Sequence, residues 1–212
     1  MNTLGLLLVD IQNDFCAGGA LEVKGGDEVV SVANQLLHNS AFKVKVSTQD
    51  WHPANHKSFA SNVDQPLFSL FDLNGLQQVA WPDHCIQDTN GAAFHPKLEV
   101  DKIDKVFPKG TNSEVDSYSG FFDNGKRGDT GLHAYLQDKG IIYLVILGLA
   151  TDYCVKFTVL DALELGYKVD LVVDGCRGVN QNPEDYLVAL EEMANAGANT
   201  CYSKDLLPLL SE

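Results

Sequence analysis

No apolar run in the 212 residues approaches the length of about 20 that a membrane-crossing helix requires. The run Leu4 to Val9 ends in Asp10 and is too short for the apolar part of a secretion signal. The protein is therefore expected in the cytoplasm and off the membrane. Positive charge is scarce: 15 Lys and Arg stand against 29 Asp and Glu, a formal net charge of -14. Such a surface has little with which to neutralise phosphates, which argues against nucleic acid as a partner. The acidic residues are scattered, so they read as a solvated surface and not as an interaction tail. The five cysteines (Cys16, Cys85, Cys154, Cys176, Cys201) are odd in number, widely spaced and without a CxxC pair. That suits a reducing compartment better than a disulfide framework. Internal repeats and low-complexity segments are absent as well.

One stretch organises what is present. Ile141-Ile-Tyr-Leu-Val-Ile-Leu147 is an apolar run of strand length that breaks at Gly148 and passes through Ala150-Thr151-Asp152 to Cys154. Beyond it Val155, Val159, Ala162 and Leu163 recur at helical spacing. The pattern predicts a buried strand, a tight turn and a helix, with Thr151 as N-cap and Cys154 in the first turn. A thiol there sits among backbone N–H groups at the positive end of a helix, which favours the thiolate. This is the arrangement of a nucleophile elbow with sulfur in place of oxygen. The alternative is a packed structural cysteine.

The rest of the chain alternates strand and helix. Leu4–Val9 reads as a central strand buried on both faces, delivering Asp10 to its carboxyl end. A helix over Asp27 to Leu37, with Asp27 as N-cap, leads to a strand over Phe42 to Thr48. Lys105-Val-Phe107 is a short strand ending in Pro108-Lys109-Gly110. Further helices are expected over Leu132 to Lys139, Pro183 to Asn195 and Leu206 to Leu210, and strands over Lys168 to Val173 and Thr200 to Tyr202. The sum is an α/β fold, a three-layer sandwich around a mostly parallel sheet of about six strands. Residues 1–212 read as a single domain, with a loop-rich insertion at about 51–104. A stretch of that length with little periodicity is usually functional, and short helices and loops over the carboxyl edge of the sheet are expected there.

Two constellations carry chemistry. Asp10, Lys109 and Cys154 all fall at or just past strand ends, which converge on one edge of a parallel sheet. Cys154 supplies a nucleophile, Lys109 a positive charge beside it, and Asp10 a general base that becomes a general acid. The other is Asp50-Trp-His52-Pro-Ala-Asn-His56, followed by Trp81-Pro-Asp-His84-Cys85. Asp50 and His52, two apart on extended chain, point the same way, and Pro53 keeps His52 out of a helix. A carboxylate with imidazoles suits zinc, with iron or manganese as alternatives. Asp50, His52 and His84 are the expected ligands, and His56 is either a ligand or a neighbour of one. His95 is read as structural.

Taken together these segments resemble the pyrazinamidase/nicotinamidase family of the isochorismatase-like cysteine hydrolases. Val9-Asp-Ile-Gln-Asn-Asp-Phe15 resembles the family's first strand, and Gln49 to Phe59 with Trp81 to Cys85 its metal segments. Lys109-Gly110 and Gly148 to Cys154 resemble its Lys and Cys segments. The resemblance implies hydrolysis of nicotinamide to nicotinate and ammonia through a thioester on Cys154, a role in NAD salvage, and pyrazinamide as an alternate substrate. It implies Asp10, Lys109 and Cys154 as a triad and a divalent metal ion that binds the pyridine nitrogen. Phe15, Trp81 and Tyr118 would line the ring slot, and backbone N–H groups of Ala150 and Cys154 would meet the oxyanion. It also implies a non-proline cis peptide before Ala150. At Tyr153 some relatives carry His, so no proton-transfer role is assigned there. Two other readings stay open: a hydrolase of another small amide or acid, and a catalytically silent interaction module of the same fold. Monomer and homo-oligomer are not distinguished.

Overall fold

The computed structural model describes residues 3–210. Six strands form one sheet: β1 (Leu4–Val9), β2 (Val44–Asp50), β5 (Lys105–Lys109), β6 (Tyr143–Leu149), β7 (Lys168–Arg177) and β8 (Asn199–Cys201). Their order is β5-β2-β1-β6-β7-β8, and every pairing is parallel. Leu6, Leu7, Leu8 and Val9 are all fully buried, so side chains on both faces of β1 are covered. The cover comes from α1 (Val29–Leu37), α3 (Leu132–Asp138), α4 (Lys156–Glu164), α5 (Asp185–Asn195) and α6 (Ser203–Leu209). The fold is the three-layer α/β arrangement expected from the alternating pattern.

Strand ends run further than periodicity indicated. β2 continues to Asp50, and β5 continues through Pro108 to Lys109. Pro108 is tolerated because β5 lies at the edge of the sheet, where one side of the ladder needs no donor. The register pairs Asp50 with Lys109 and Val9 with Gly148. Gly148 has φ of 135°, and a Cβ there would stand 2.1 Å from the Val9 carbonyl oxygen. Only glycine lets β1 and β6 approach this closely, and the approach sets Asp10 beside the turn that carries Cys154.

Between β2 and β5 the chain forms a short helix, α2 (Ala60–Val63), and an antiparallel hairpin of β3 (Leu70–Leu73) and β4 (Leu76–Val79). The hairpin corrects the expectation of helices and loops alone. Its turn, Asn74-Gly75, has φ of 54° and 85°, the left-handed pair that favours Asn-Gly. Two cap assignments are corrected too. Asp27 lies in a short helical turn before α1; its carboxylate accepts the Ala17 N–H and pairs with His95, so it does not cap α1. Thr151 does not cap its helix: the chain makes a wide turn over Thr151–Val155 before α4, and Ala150 holds the cap position without a side-chain bond. Burial drew Thr151 inward instead of leaving its hydroxyl on the backbone. Pro183 precedes α5 and is not in its first turn.

Candidate active site

Asp10, Asp50, Lys109 and Cys154 come from the carboxyl ends of β1, β2 and β5 and from the turn after β6, and they meet. Lys109 is the hub. Its Nζ lies 2.9 Å from Asp10 Oδ2, 2.9 Å from Asp50 Oδ1, 2.9 Å from the Ser117 carbonyl oxygen and 3.4 Å from Cys154 Sγ. It is 2 % exposed. Burial works against the ammonium, but the Asp10 and Asp50 carboxylates outweigh it and hold its pKa well above the ordinary value. Lys109 is therefore a fixed charge and not a proton carrier.

Asp10 has a left-handed backbone, φ 47°. Thr48 Oγ1 donates to Asp10 Oδ1 at 2.6 Å and accepts the Asp10 N–H at 3.2 Å. Burial raises the Asp10 pKa, Lys109 opposes it and Asp50 reinforces it; the net direction is upward. Cys154 behaves differently from the sequence expectation. Burial pushes its thiol well above the usual range, Lys109 pulls it down, and the carboxylates of Asp10 and Asp50 push it up again. Burial is the largest of these effects and the Lys109 ammonium does not offset it, so the turn alone does not hold the sulfur as a thiolate and a base beside it is needed.

Asp50 faces both ways. Oδ1 takes Lys109, while Oδ2 lies 3.1 Å from His52 Nε2 and 3.5 Å from His84 Nε2. His52 and Lys109 hold its carboxyl well below the carboxylate range against the effect of burial. The two imidazoles have their other nitrogens engaged: His52 Nδ1 donates to the Gly110 carbonyl at 2.9 Å, and His84 Nδ1 donates to the Pro82 carbonyl at 2.7 Å. In the neutral rings both Nε2 lone pairs therefore face the carboxylate, an arrangement that only a cation or an added proton stabilises. Asp50, His52 and His84 thus fit a divalent ion, with donor atoms all within 4.8 Å of one another. His56 groups with His52 and Asp116 instead. Its Nδ1 accepts the Ser58 N–H at 3.1 Å, and its buried Nε2 has no hydrogen-bond partner among the described residues.

Gly110 supports this centre through its backbone. It has φ of 65°, and a Cβ would stand 2.4 Å from His52 Cε1. Gly110→Ala is expected to push the His52 ring off its carbonyl and weaken metal retention by at least roughly tenfold. Elemental analysis of the purified protein checks this; an unchanged metal content would remove His52 from the ligand set.

A pocket lies between these groups and an aromatic wall. Phe15, Trp81, Tyr118 and Ala150 line it, as do Cys154, Asp50 and His84. The peptide between Leu149 and Ala150 is cis. Trp81 Nε1 donates to Tyr118 Oη at 3.1 Å, and Tyr153 packs edge-on to Trp81 at 4.7 Å between ring centroids. Leu21, Asp116, Tyr153 and Val179 also line the cavity and were not picked out from sequence. Tyr153 carried a cue, since it adjoins Cys154; burial pushes its phenol up to about 12, so it serves as neutral wall. Leu21 and Val179 carried none. Gln12 was also missed: its side chain donates to the Asp50 carbonyl at 2.7 Å and accepts the Asp50 N–H at 2.7 Å, clamping that residue's backbone from both sides.

Known proteins resemble this chain over most of its length. Residues 5–205 match the isochorismatase domain model. The nicotinamidase of Escherichia coli (strain K12) is 56% identical over 91% of this chain and 92% of its own. An Acinetobacter baumanii nicotinamidase/pyrazinamidase structure superposes with a TM-score of 0.92 and 39% identity, covering 97% of this chain and 99% of the other. A pyrazinamidase of Pyrococcus horikoshii, solved in complex with zinc, gives 0.77 and 37%, covering 94% and 99%. With a full-length match to the domain and more than half of its residues shared with one nicotinamidase, the chain belongs to the isochorismatase family and, within it, to the nicotinamidases.

Proposed function

We propose that the protein hydrolyses nicotinamide to nicotinate and ammonia through a thioester on Cys154, with Asp10, Lys109 and Cys154 as the catalytic groups. The observation that carries this reading is the single buried ammonium of Lys109, within 3.4 Å of the sulfur and 2.9 Å of both the Asp10 and Asp50 carboxylates. It ties the nucleophile to the residues that would hold a metal. The relatives named above support the substrate.

Asp50, His52 and His84 would hold the metal ion, zinc by its donor set and by the Pyrococcus pyrazinamidase, with His56 and Asp116 beside it. A bound divalent ion supplies a Lewis-acid contact for the pyridine nitrogen. Phe15, Trp81 and Tyr118 hold the flat ring, which suits aromatic walls with few polar anchors. Asp10 takes the thiol proton as sulfur attacks the carboxamide carbon. Backbone N–H groups of Ala150 and Cys154 receive the oxyanion. Asp10 returns the proton to the departing nitrogen, and ammonia leaves a thioester. Asp10 then takes a proton from water as its oxygen attacks the thioester; the sulfur leaves as thiolate and regains that proton from Asp10, and the acid product ionises to nicotinate. Lys109 stays protonated throughout and offsets the negative charge near the sulfur.

Ammonia release from nicotinamide by the metal-replete protein tests the reading; no release from any small amide would leave the silent-module alternative standing. A finer test concerns Thr48. Thr48→Val keeps the side-chain shape and removes the bond to Asp10. A hydrogen bond to a charged group contributes about 1.5–3 kcal/mol, or roughly 10- to 100-fold in rate. The loss is expected in kcal terms as a lower kcat, with KM held and Thr48→Ser near wild type. An equal effect on KM would show that Thr48 acts on the slot and not on Asp10.

A further inference from the structure

The buried carboxylate of Asp152 takes no part in the chemistry just described. It is 5 % exposed, sits in the turn Thr151–Val155 two residues before Cys154, and bonds to the segment that follows β7. Oδ1 accepts the Val179 N–H at 2.9 Å and Oδ2 accepts the Asn180 N–H at 2.7 Å. Gly178 lies against the same carboxylate, where a Cβ would stand 3.3 Å from Asp152 Oδ1. The next residues, Asn180 to Asn182, are exposed. Asn180 has φ of 54°, and its own side chain accepts the Tyr186 N–H at 2.9 Å, a second tether to α5. Val179, between the tethers and the cavity, is one of its walls.

We propose that Asp152 is a positioning residue for the substrate: its carboxylate fixes Val179 against the turn that carries Cys154, so that the slot keeps this wall against the bound ring. The inference rests on the nicotinamidase reading. Its physical basis is that the segment is otherwise surface chain, and that only a carboxylate offers an oxygen to each of two adjacent N–H groups. An amide at this position offers one oxygen and turns an NH2 group towards the other donor. The segment then drifts, and the slot loses a wall without any change at Asp10, Lys109 or Cys154. A wall that packs on the ring in the ground and transition states alike contributes uniform binding, so its loosening is expected to appear in KM.

The test compares Asp152→Asn, Val179→Ala and the double variant. Asp152→Asn is expected to raise KM for nicotinamide about tenfold with kcat within about threefold, and the double variant to be no worse than the weaker single one, because both remove the same wall. Hydrogen exchange at the Val179 and Asn180 amides should quicken, while alkylation of Cys154 by iodoacetamide keeps its wild-type rate. Slowed alkylation together with a lost kcat would make Asp152 a support of the turn and overturn the proposal. So would an unmoved KM, or effects of the two substitutions that multiply. Should Asp152→Asn not fold, Asn180→Ala loosens the same segment from α5 and carries the same expectation and the same refutation. Wild-type protein without nicotinamide turnover would defeat the functional reading itself, whereas turnover with KM unmoved in the variants defeats only the role of Asp152.

Discussion

Cys154→Ala is expected to lower nicotinamide turnover by at least about 10⁴-fold while the fold survives. Among the described residues that line the cavity, Cys154 is the only cysteine, and its sulfur lies 3.4 Å from the Lys109 ammonium. Cys85 is also buried, but it is not among the residues that line the cavity. The structural cost is small. The change removes one atom, about 1 kcal/mol at a buried site. Lys109 loses a 3.4 Å contact and keeps its bonds to Asp10, Asp50 and Ser117. A thermal midpoint within a few degrees of wild type, with metal still bound, would separate loss of chemistry from loss of fold. Substantial turnover in that variant would place the nucleophile elsewhere.

Removal of the metal is expected to abolish most activity, and addition of zinc to the chelated protein to restore it. The reason lies in the two-sided Asp50. Without a cation, its Oδ2 faces two imidazoles and its Oδ1 holds Lys109, so the site must settle its charge by protonating a histidine. Asp50 does raise the His52 pKa, against the effect of burial. A metal must displace that proton. Affinity therefore falls as pH falls, and the fall begins above the ordinary histidine value of about 6.5. His84→Ala is expected to weaken metal binding about 100-fold and to raise KM. Titration with a chromophoric chelator reads the affinity directly. Full activity in demonstrably metal-free protein would point to a different small amide or acid as substrate.

Much of this site was legible before any coordinates, for a definite reason. Continuous apolar runs mark buried parallel strands, and strand ends of a parallel sheet gather on one edge. Asp10, Lys109 and the turn at Cys154 could therefore be expected at one edge, while Asp50 was grouped with the histidines and its bond to Lys109 was not foreseen. The rest was hidden for equally definite reasons. Thr48 and Gln12 act on partners 38 residues away, and no local pattern announces such a bond. Val179 enters the cavity because Asp152 draws it there, a tertiary contact. The hairpin at Asn74-Gly75 did have a local cue, but the flanking residues do not alternate cleanly, as Leu70 is exposed and Gln78 buried. Thr151 was misread because its local preference for a cap yielded to burial. The expectation for the thiol weighed the helix end and a nearby cation but not the burial of the sulfur, which is the largest effect on it.

Trp81 is one of two tryptophans in the chain, and its indole forms a face of the cavity, braced by Tyr118 and Tyr153. A pyridine ring entering the slot must come to rest against the protein's own fluorophore. Occupancy is thereby written into the emission spectrum, and ligands could be ranked by quenching in unlabelled protein, with Trp81→Phe supplying the background from Trp51.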